Sequence, residues 1–208
     1  MTSTLGHLDT LNIDNILKLT ESKKAILFDM DGTILNSECL HFEAIHLITQ
    51  KQSPYTIDDL YGLADTDVYP LISKYMSHDL DNFLKAKNDL MLDLIPATDP
   101  NTIIKPEMQK LLKLLNESGK TLAVVTASED VITHSLLDHC GVSKYFKLVV
   151  TRQDTVLSKP HPAPYQYALK VLKIDKKNSL IFEDSPTGLQ AAKASGIDTF
   201  QVSWYEHK

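Results

Sequence analysis

Four carboxylates in two tight pairs are the residues of this chain best suited to chemistry. Asp29 and Asp31, two apart, close the apolar run Ala25-Ile-Leu-Phe28, and Glu183 with Asp184 closes Ser179-Leu-Ile-Phe182. Aspartate is a poor strand residue, so two such endings argue for a purpose other than packing. In a parallel sheet the carboxyl ends of the strands face the crevice where ligands bind. Acids gathered there repel one another unless a hard cation holds them, and Mg²⁺ takes carboxylate and carbonyl oxygens. Two further strand ends fit the same purpose. Thr126-Ala127-Ser128 follows Leu122-Ala-Val-Val125 and offers hydroxyls and backbone N–H groups at a helix N-terminus, a ready phosphate site. Lys159, before Pro160, adds a point charge. Metal-assisted handling of a phosphate is the chemistry these types suggest.

Such residues must be positioned by a parallel sheet wrapped in helices, and the patterning supplies one. From residue 106 onward, helix-period and strand-period segments alternate. Pro106 opens a helix with Met108, Leu111, Leu112 and Leu115 on one face, stopped by Gly119. Strands are predicted at 121–126, 146–150, 179–183 and 199–203, with one before them at 25–29. The intervening helices carry Ile132, Leu136 and Cys140, then Tyr165, Ala168, Leu169 and Leu172, and a last one starts at Pro186 and ends at Gly196. Between the first strand and Pro106 there is no strand pattern, only helical period at 39–50, 67–77 and 80–95. This predicts an inserted helical subdomain over 37–99, bounded by Asn36-Ser37-Glu38 and the breaker-rich stretch 96–101. The core then comprises 21–36 and 100–208. Residues 1–20 offer an amphipathic segment, Leu11 to Leu19, read as a helix on the surface. The fold class is α/β, a Rossmann-like parallel sheet with an all-helical insertion.

Composition narrows the partners. With 27 acids against 21 bases in 208 residues, the net charge is −6, the opposite of a nucleic-acid or anionic-membrane footprint. Of the bases only Arg152 is an arginine, which removes bidentate guanidinium clamps. No apolar stretch approaches the roughly 20 residues of a membrane span, and no signal-peptide pattern opens the chain, so a cytoplasmic location and a monomer are the default expectations. Cys39 and Cys140 lack the spacing of a zinc site or a disulfide framework and read as reduced thiols.

Taken in order and spacing, these segments resemble the motifs of the haloacid dehalogenase superfamily. The likeness runs from residue 25 to 203 and points to the branch of beta-phosphoglucomutase and its phosphatase relatives, whose helical cap follows the first motif. Asp29-Met-Asp31-Gly32-Thr33 resembles motif one, Thr126 motif two, Lys159 motif three and Glu183-Asp-Ser-Pro-Thr-Gly188 motif four, at intervals of 97, 33 and 24 residues. The resemblance implies a Mg²⁺-dependent phosphatase. In it Asp29 attacks phosphorus to form an aspartyl-phosphate, and Asp31 serves as general acid and then base. Asp29, the Asp31 backbone carbonyl, Asp184 and either Glu183 directly or Glu183 from behind would hold the metal. Thr126, Ala127, Ser128 and Lys159 would bind the phosphoryl oxygens, with Lys159 also pairing Asp29, and Gly32 and Thr33 would form a tight turn that brings N–H groups against phosphate. Asp31 separates the chain from dehalogenases, whose halide leaving group needs no proton.

A small phosphorylated metabolite of the sugar or polyol phosphate class is the expected substrate, and a phosphosugar mutase like beta-phosphoglucomutase is the alternative. His41, twelve residues after Asp29, matches a histidine of the mutase without separating the two readings. The mutase's cap arginine is absent from Gly62-Leu-Ala-Asp65-Thr66, and after Ser128 a lysine and an asparagine give way to Glu129-Asp130. Residues 39–95 hold nine acids against four lysines, a poor lid for a bisphosphate unless a lysine such as Lys74 points inward. His134 and His139 fall on different helix faces and make no metal pair. Cys39 reads as structural, and Arg152 as a surface or structural residue.

Overall fold

The computed structural model describes residues 4–205. Six strands, β1 (Thr4–Leu8), β2 (Ala25–Phe28), β3 (Thr121–Val125), β4 (Phe146–Val150), β5 (Ser179–Glu183) and β6 (Asp198–Val202), form one sheet in the order β1-β6-β5-β2-β3-β4. Every pairing is parallel. The chain order reverses at β2, which pairs with both β3 and β5, so the crevice of a parallel sheet opens at its carboxyl end.

The β2 side chains show why the sheet is covered on both faces. Ile26 and Phe28 enter one apolar layer with Leu111, Leu136 and Phe182, while Ala25 and Leu27 enter the other with Tyr165, Ala168 and Ala191. All four are fully buried. A near-continuous apolar strand is what a doubly covered parallel strand requires. On the first face lie α1 (Ile13–Thr20), α7 (Pro106–Glu117) and α8 (Asp130–His139); on the second lie α9 (Ala163–Leu172) and α10 (Pro186–Ser195). The four apolar positions predicted for the inner face of α7 are all fully buried. Gly196 caps α10 in the left-handed conformation at φ +78°, as its place after the last periodic residue suggests.

Among the described residues, the stretch from β2 to α7 is helical only. It holds α2 (Glu38–Ile48), α3 (Ile57–Leu60), α4 (Asp65–Ile72), α5 (Leu80–Ala97) and α6 (Pro100–Ile103). Ile45, Leu60, Val68, Ile72 and Phe83 form a small apolar cluster of their own, while Leu40, Ala44, Met91 and Ile95 join the main core below it. The insertion thus has its own centre and stands on α8 through α5.

Two expectations change. The N-terminal stretch is not a surface helix alone, because β1 precedes α1 and adds a sixth strand beside β6. Five residues interrupted by Gly6 carry too little alternation to announce a strand, and Gly6 is there for closeness, since a Cβ would lie 3.3 Å from the Phe200 ring. The helix at 80–95 also runs through Pro96 to Ala97. A proline in a final turn removes one hydrogen bond without ending the turns before it. Residues 1–3 and 206–208, at the ends of the expected N-terminal and core segments, lie outside the described residues.

Candidate active site

Most predicted groups hang from the carboxyl end of a strand or the turn after it, with Lys159 in the loop between β4 and α9 and His41 on α2, and one cavity gathers Asp29, Asp31, His41, Thr126, Ala127, Ser128 and Lys159. Asp29 continues the ladder of β2, its N–H donating to Phe182 O at 3.0 Å. Beyond it the chain folds back within six residues. The N–H groups of Ile34 and Leu35 both donate to Met30 O at 2.9 Å, and Gly32 turns at φ +82°. A Cβ on Gly32 would lie 2.1 Å from Asp184 Oδ2, so both conformation and contact demand glycine.

The tight turn is where it was expected, but its N–H groups serve the turn itself. Gly32 N–H donates to Leu35 O at 2.7 Å and Thr33 N–H to Met30 O at 3.3 Å. Instead of facing a phosphate through its backbone, Thr33 donates its hydroxyl to Asp184. The amides of Gly32 through Leu35 are thus taken up within the turn.

Lys159 is the hub of the buried charge. Its Nζ lies 2.5 Å from Asp29 Oδ1 and 2.7 Å from Glu183 Oε2, with all three side chains at most 8% exposed. Burial lowers its pKa, but Asp29 and Glu183 more than compensate and hold the ammonium charged. Glu183 is engaged on every side: Tyr165 donates to Oε2 at 2.6 Å, while Oε1 accepts from Ser185 N–H at 3.1 Å and Ser185 Oγ at 2.9 Å. Helix α10 comes so near that a Cβ on Gly188 would lie 2.1 Å from this carboxylate. Glu183 is therefore anchored as a holder of Lys159, whether or not it also reaches a metal.

Asp29, Glu183 and Asp184 each present a carboxylate oxygen within 4.8 Å of the others'. Burial and the neighbouring Glu183 push the Asp29 carboxyl well above its usual range, against Lys159. Burial raises Asp184 to about 7, with the Thr33 hydrogen bond opposing. Three buried carboxylates with one ammonium leave an excess of two negative charges when all are ionised. A hard divalent cation fits this donor set in both charge and ligand type.

The Asp31 carboxylate lies outside that cluster, as suits a residue expected to reach a metal only through its backbone. Ser37 donates to Oδ1 at 2.5 Å, while Ser128 and Thr126 donate to Oδ2 at 2.7 and 3.2 Å. His41 Nε2 stands 3.3 Å from Oδ1. Burial would raise the Asp31 pKa, but His41 and the hydrogen bonds from Ser37 and Ser128 hold it well below the usual carboxylate range. Asp29 and Asp31, two residues apart, thus stand in different surroundings, one beside Glu183 and Lys159 and the other among hydroxyls and His41.

The helical insertion closes the other end. Lys87 of α5, with its side chain 3% exposed, donates to His41 Nδ1 at 2.9 Å and to Asp65 Oδ1 at 2.6 Å. Because lysine can only donate, Nδ1 accepts, which puts the ring proton on Nε2 facing Asp31. Lys74, the example of a lysine that would have to point inward to receive a bisphosphate, lies over the Tyr75 ring, 5.0 Å from its centroid. An inward cation is present, but it is Lys87, which one turn of an unremarkable 80–95 helix did not single out. Glu38 opens α2 and also lines the cavity, with burial pushing its carboxyl up to about 7. Insertion and core meet at Tyr61, whose hydroxyl donates to Asp184, and at Thr187, which donates to Gly62 O at 2.9 Å.

The remaining candidates stay apart from this centre. His134 pairs with Asp130 at 3.5 Å and His139 with Thr98 O at 2.8 Å. Cys39 is exposed and Cys140 buried, both free thiols. Arg152 acts on Glu129, whose carboxyl burial and the nearby Asp65 push up while Arg152 and Lys87 pull it down. Sequence reasoning missed Ser37, Glu38, Asp65, Lys87, Tyr165 and Gly188. Among these only Gly188, inside the fourth motif, carried a signal of its own.

Comparison with known proteins agrees with this geometry. Residues 26–202 match the model of the family described as haloacid dehalogenase-like hydrolase. The chain is similar to a fructose-1-phosphate phosphatase of Escherichia coli, 27% identical with 88% of this chain and 97% of that one covered. It is also similar to a phosphoglycolate phosphatase of Pseudomonas fluorescens, 24% identical with 88% and 71% covered. Among solved structures, CbbY from Rhodobacter sphaeroides in complex with phosphate superposes with a TM-score of 0.76 at 23% identity, covering 89% of this chain and 88% of that one.

Proposed function

Because the chain belongs to the haloacid dehalogenase-like hydrolase family and is a phosphoric monoester hydrolase like its named relatives, we propose that it hydrolyses a small sugar or polyol phosphate through a phosphoenzyme on Asp29. The observation that carries this reading is the different surroundings of two aspartates two residues apart. Asp29 is gathered with Glu183 and Asp184 around Lys159, and Asp31 is held by hydroxyls and faced by His41.

In the first half-reaction an Asp29 oxygen bonds to phosphorus as the bond to the leaving oxygen breaks, and Asp31, which must first be protonated against the pull of its hydroxyl and His41 partners, supplies that oxygen's proton. In the second, water attacks phosphorus, Asp31 takes its proton and the aspartyl oxygen leaves, releasing phosphate. Lys159 holds Asp29 in place and offers positive charge to the phosphoryl oxygens, which Thr126 and Ser128 can also meet with their hydroxyls. Asp29 and Asp184, with Glu183 as the third carboxylate, would hold Mg²⁺, which when bound neutralises charge on the phosphoryl group. The helices between β2 and α7 act as a cap that shuts out bulk water and meets the leaving group.

Phosphate release from sugar and polyol monophosphates, with Mg²⁺ against EDTA, tests the reading. Release that needs Mg²⁺ and vanishes in Asp29→Asn is expected. Metal-independent release, or release that survives in the variant, would overturn it.

A further inference from the structure

The end of the cavity that receives the leaving group has an unusual balance of charge. Its walls are partly apolar, with Phe42, Ile45 and Leu60 among them, and its polar groups are Glu38, Asp65, Lys87 and His41. Lys87 is the only lysine or arginine of the insertion that lines it, among the described residues. That cation is already matched. Asp65 takes it at 2.6 Å and His41 Nδ1 at 2.9 Å, while the other His41 nitrogen is turned to Asp31. A second anion on the substrate would therefore enter beside Glu38 and Asp65, where, among the described residues, the insertion's one lining cation, Lys87, is already engaged. Hydroxyl or ammonium hydrogens, by contrast, would find acceptors.

We infer that this pocket selects leaving groups that bring hydrogen-bond donors and no second anion, and that Asp65 enforces the selection by neutralising Lys87. The inference rests on the phosphatase reading and sharpens it. It sets bisphosphates and carboxylate-bearing esters outside the substrate range, so a mutase cycling through a bisphosphate is disfavoured by the same charges.

Three two-carbon esters of nearly equal size test it: 2-hydroxyethyl phosphate, 2-aminoethyl phosphate and carboxymethyl phosphate. The expected result is kcat/KM for the first two at least about a hundredfold above the third, the scale on which unmatched buried charge discriminates. In Asp65→Asn, which frees Lys87, the carboxymethyl ester should gain about tenfold while the aminoethyl ester falls, mostly through KM. Equal turnover of all three by the wild type would overturn the inference and leave the phosphatase reading standing. Equal losses for all three in Asp65→Asn would remove Asp65 from the role. Calorimetric binding of the same esters to Asp29→Asn separates the two readings. Selective binding without any wild-type hydrolysis would count against the phosphatase, and unselective binding against the anion filter.

Discussion

The two ends of the cavity bury their charges by different means. At the strand ends, Lys159 joins Asp29, 130 residues away, to Glu183, 24 residues away, and every partner sits on a strand or the residue after one. In the insertion, Lys87 joins His41 and Asp65, 46 and 22 residues away, and all three ride on helices around a small apolar cluster of their own. The first arrangement is fixed by a sheet covered on both faces. The second rests on the main core through α5 and on two contacts, Tyr61 to Asp184 and Thr187 to Gly62. Groups that must act on every substrate hang from the rigid part, and groups that meet a variable leaving group hang from the part that can be altered or moved without disturbing the sheet.

That contrast breaks most sharply at Asp29. Asp29→Asn should lower phosphate release by about 10⁴-fold or more, the scale of losing a nucleophile, while urea unfolding shows a stability equal to or above the wild type, since one of three mutually repelling carboxylates is gone. Loss of less than about tenfold would mean that the reaction is not seated at the strand ends.

Lys159→Met comes next. It leaves Asp29 and Glu183 buried without a counter-charge, and breaking a buried pair from one side costs about 3–5 kcal/mol. Urea denaturation should show this, with Mg²⁺ restoring part of the loss. Gly188→Ala should cost about 1–3 kcal/mol, because its methyl group would overlap the Glu183 carboxylate, and activity should fall with the displaced Lys159. Lys87→Met is expected to cost less, about 1 kcal/mol, because Asp65 is 22% exposed and can turn to water. If Lys87→Met proved as damaging as Lys159→Met, the insertion would be as rigid a frame as the sheet and the contrast would fail.

The same contrast governs how much could be read in advance. Strand ends are legible because a strand points its terminal residues at one edge of the sheet, so an acid closing an apolar run declares its place. Asp29, Asp31, Thr126, Ser128, Glu183 and Asp184 stand where that logic puts them, whereas Lys159 reaches in from the loop between β4 and α9. A helix offers several faces, and a lysine within a mixed helix such as α5 does not reveal which one it occupies; Lys87 and Lys74 could be told apart only once α5 was seen against α2. Tyr165 reads as a core residue because its ring is one, and only its hydroxyl reaches Glu183. The backbone of the 29–35 turn was legible as a turn, but not the fate of its amides, which depends on a closure only six residues long. Strand β1 escaped because five edge residues need little apolar character.

Glu38 supplies the smallest effect and the finest test of how closed the insertion end is. Burial lifts its carboxyl from the usual 4.5 to about 7. A raised folded-state pKa means the unfolded chain gives up the proton first. The contribution of this group to stability is therefore full below about pH 4.5 and is lost as pH rises toward 7, beyond which both states are ionised and nothing further changes. In Glu38→Gln there is no proton to lose. The stability of the wild type relative to the variant should decline between pH 4.5 and 7 and stay level above it, as read by urea unfolding at a series of pH values. Asp184 titrates in the same window but is present in both proteins, so it cancels to the extent that the two carboxylates do not influence each other. Parallel pH profiles would mean that Glu38 is solvated in the folded protein and that water reaches the leaving-group end freely. A declining difference would place that end within the same desolvated interior as the strand-end carboxylates.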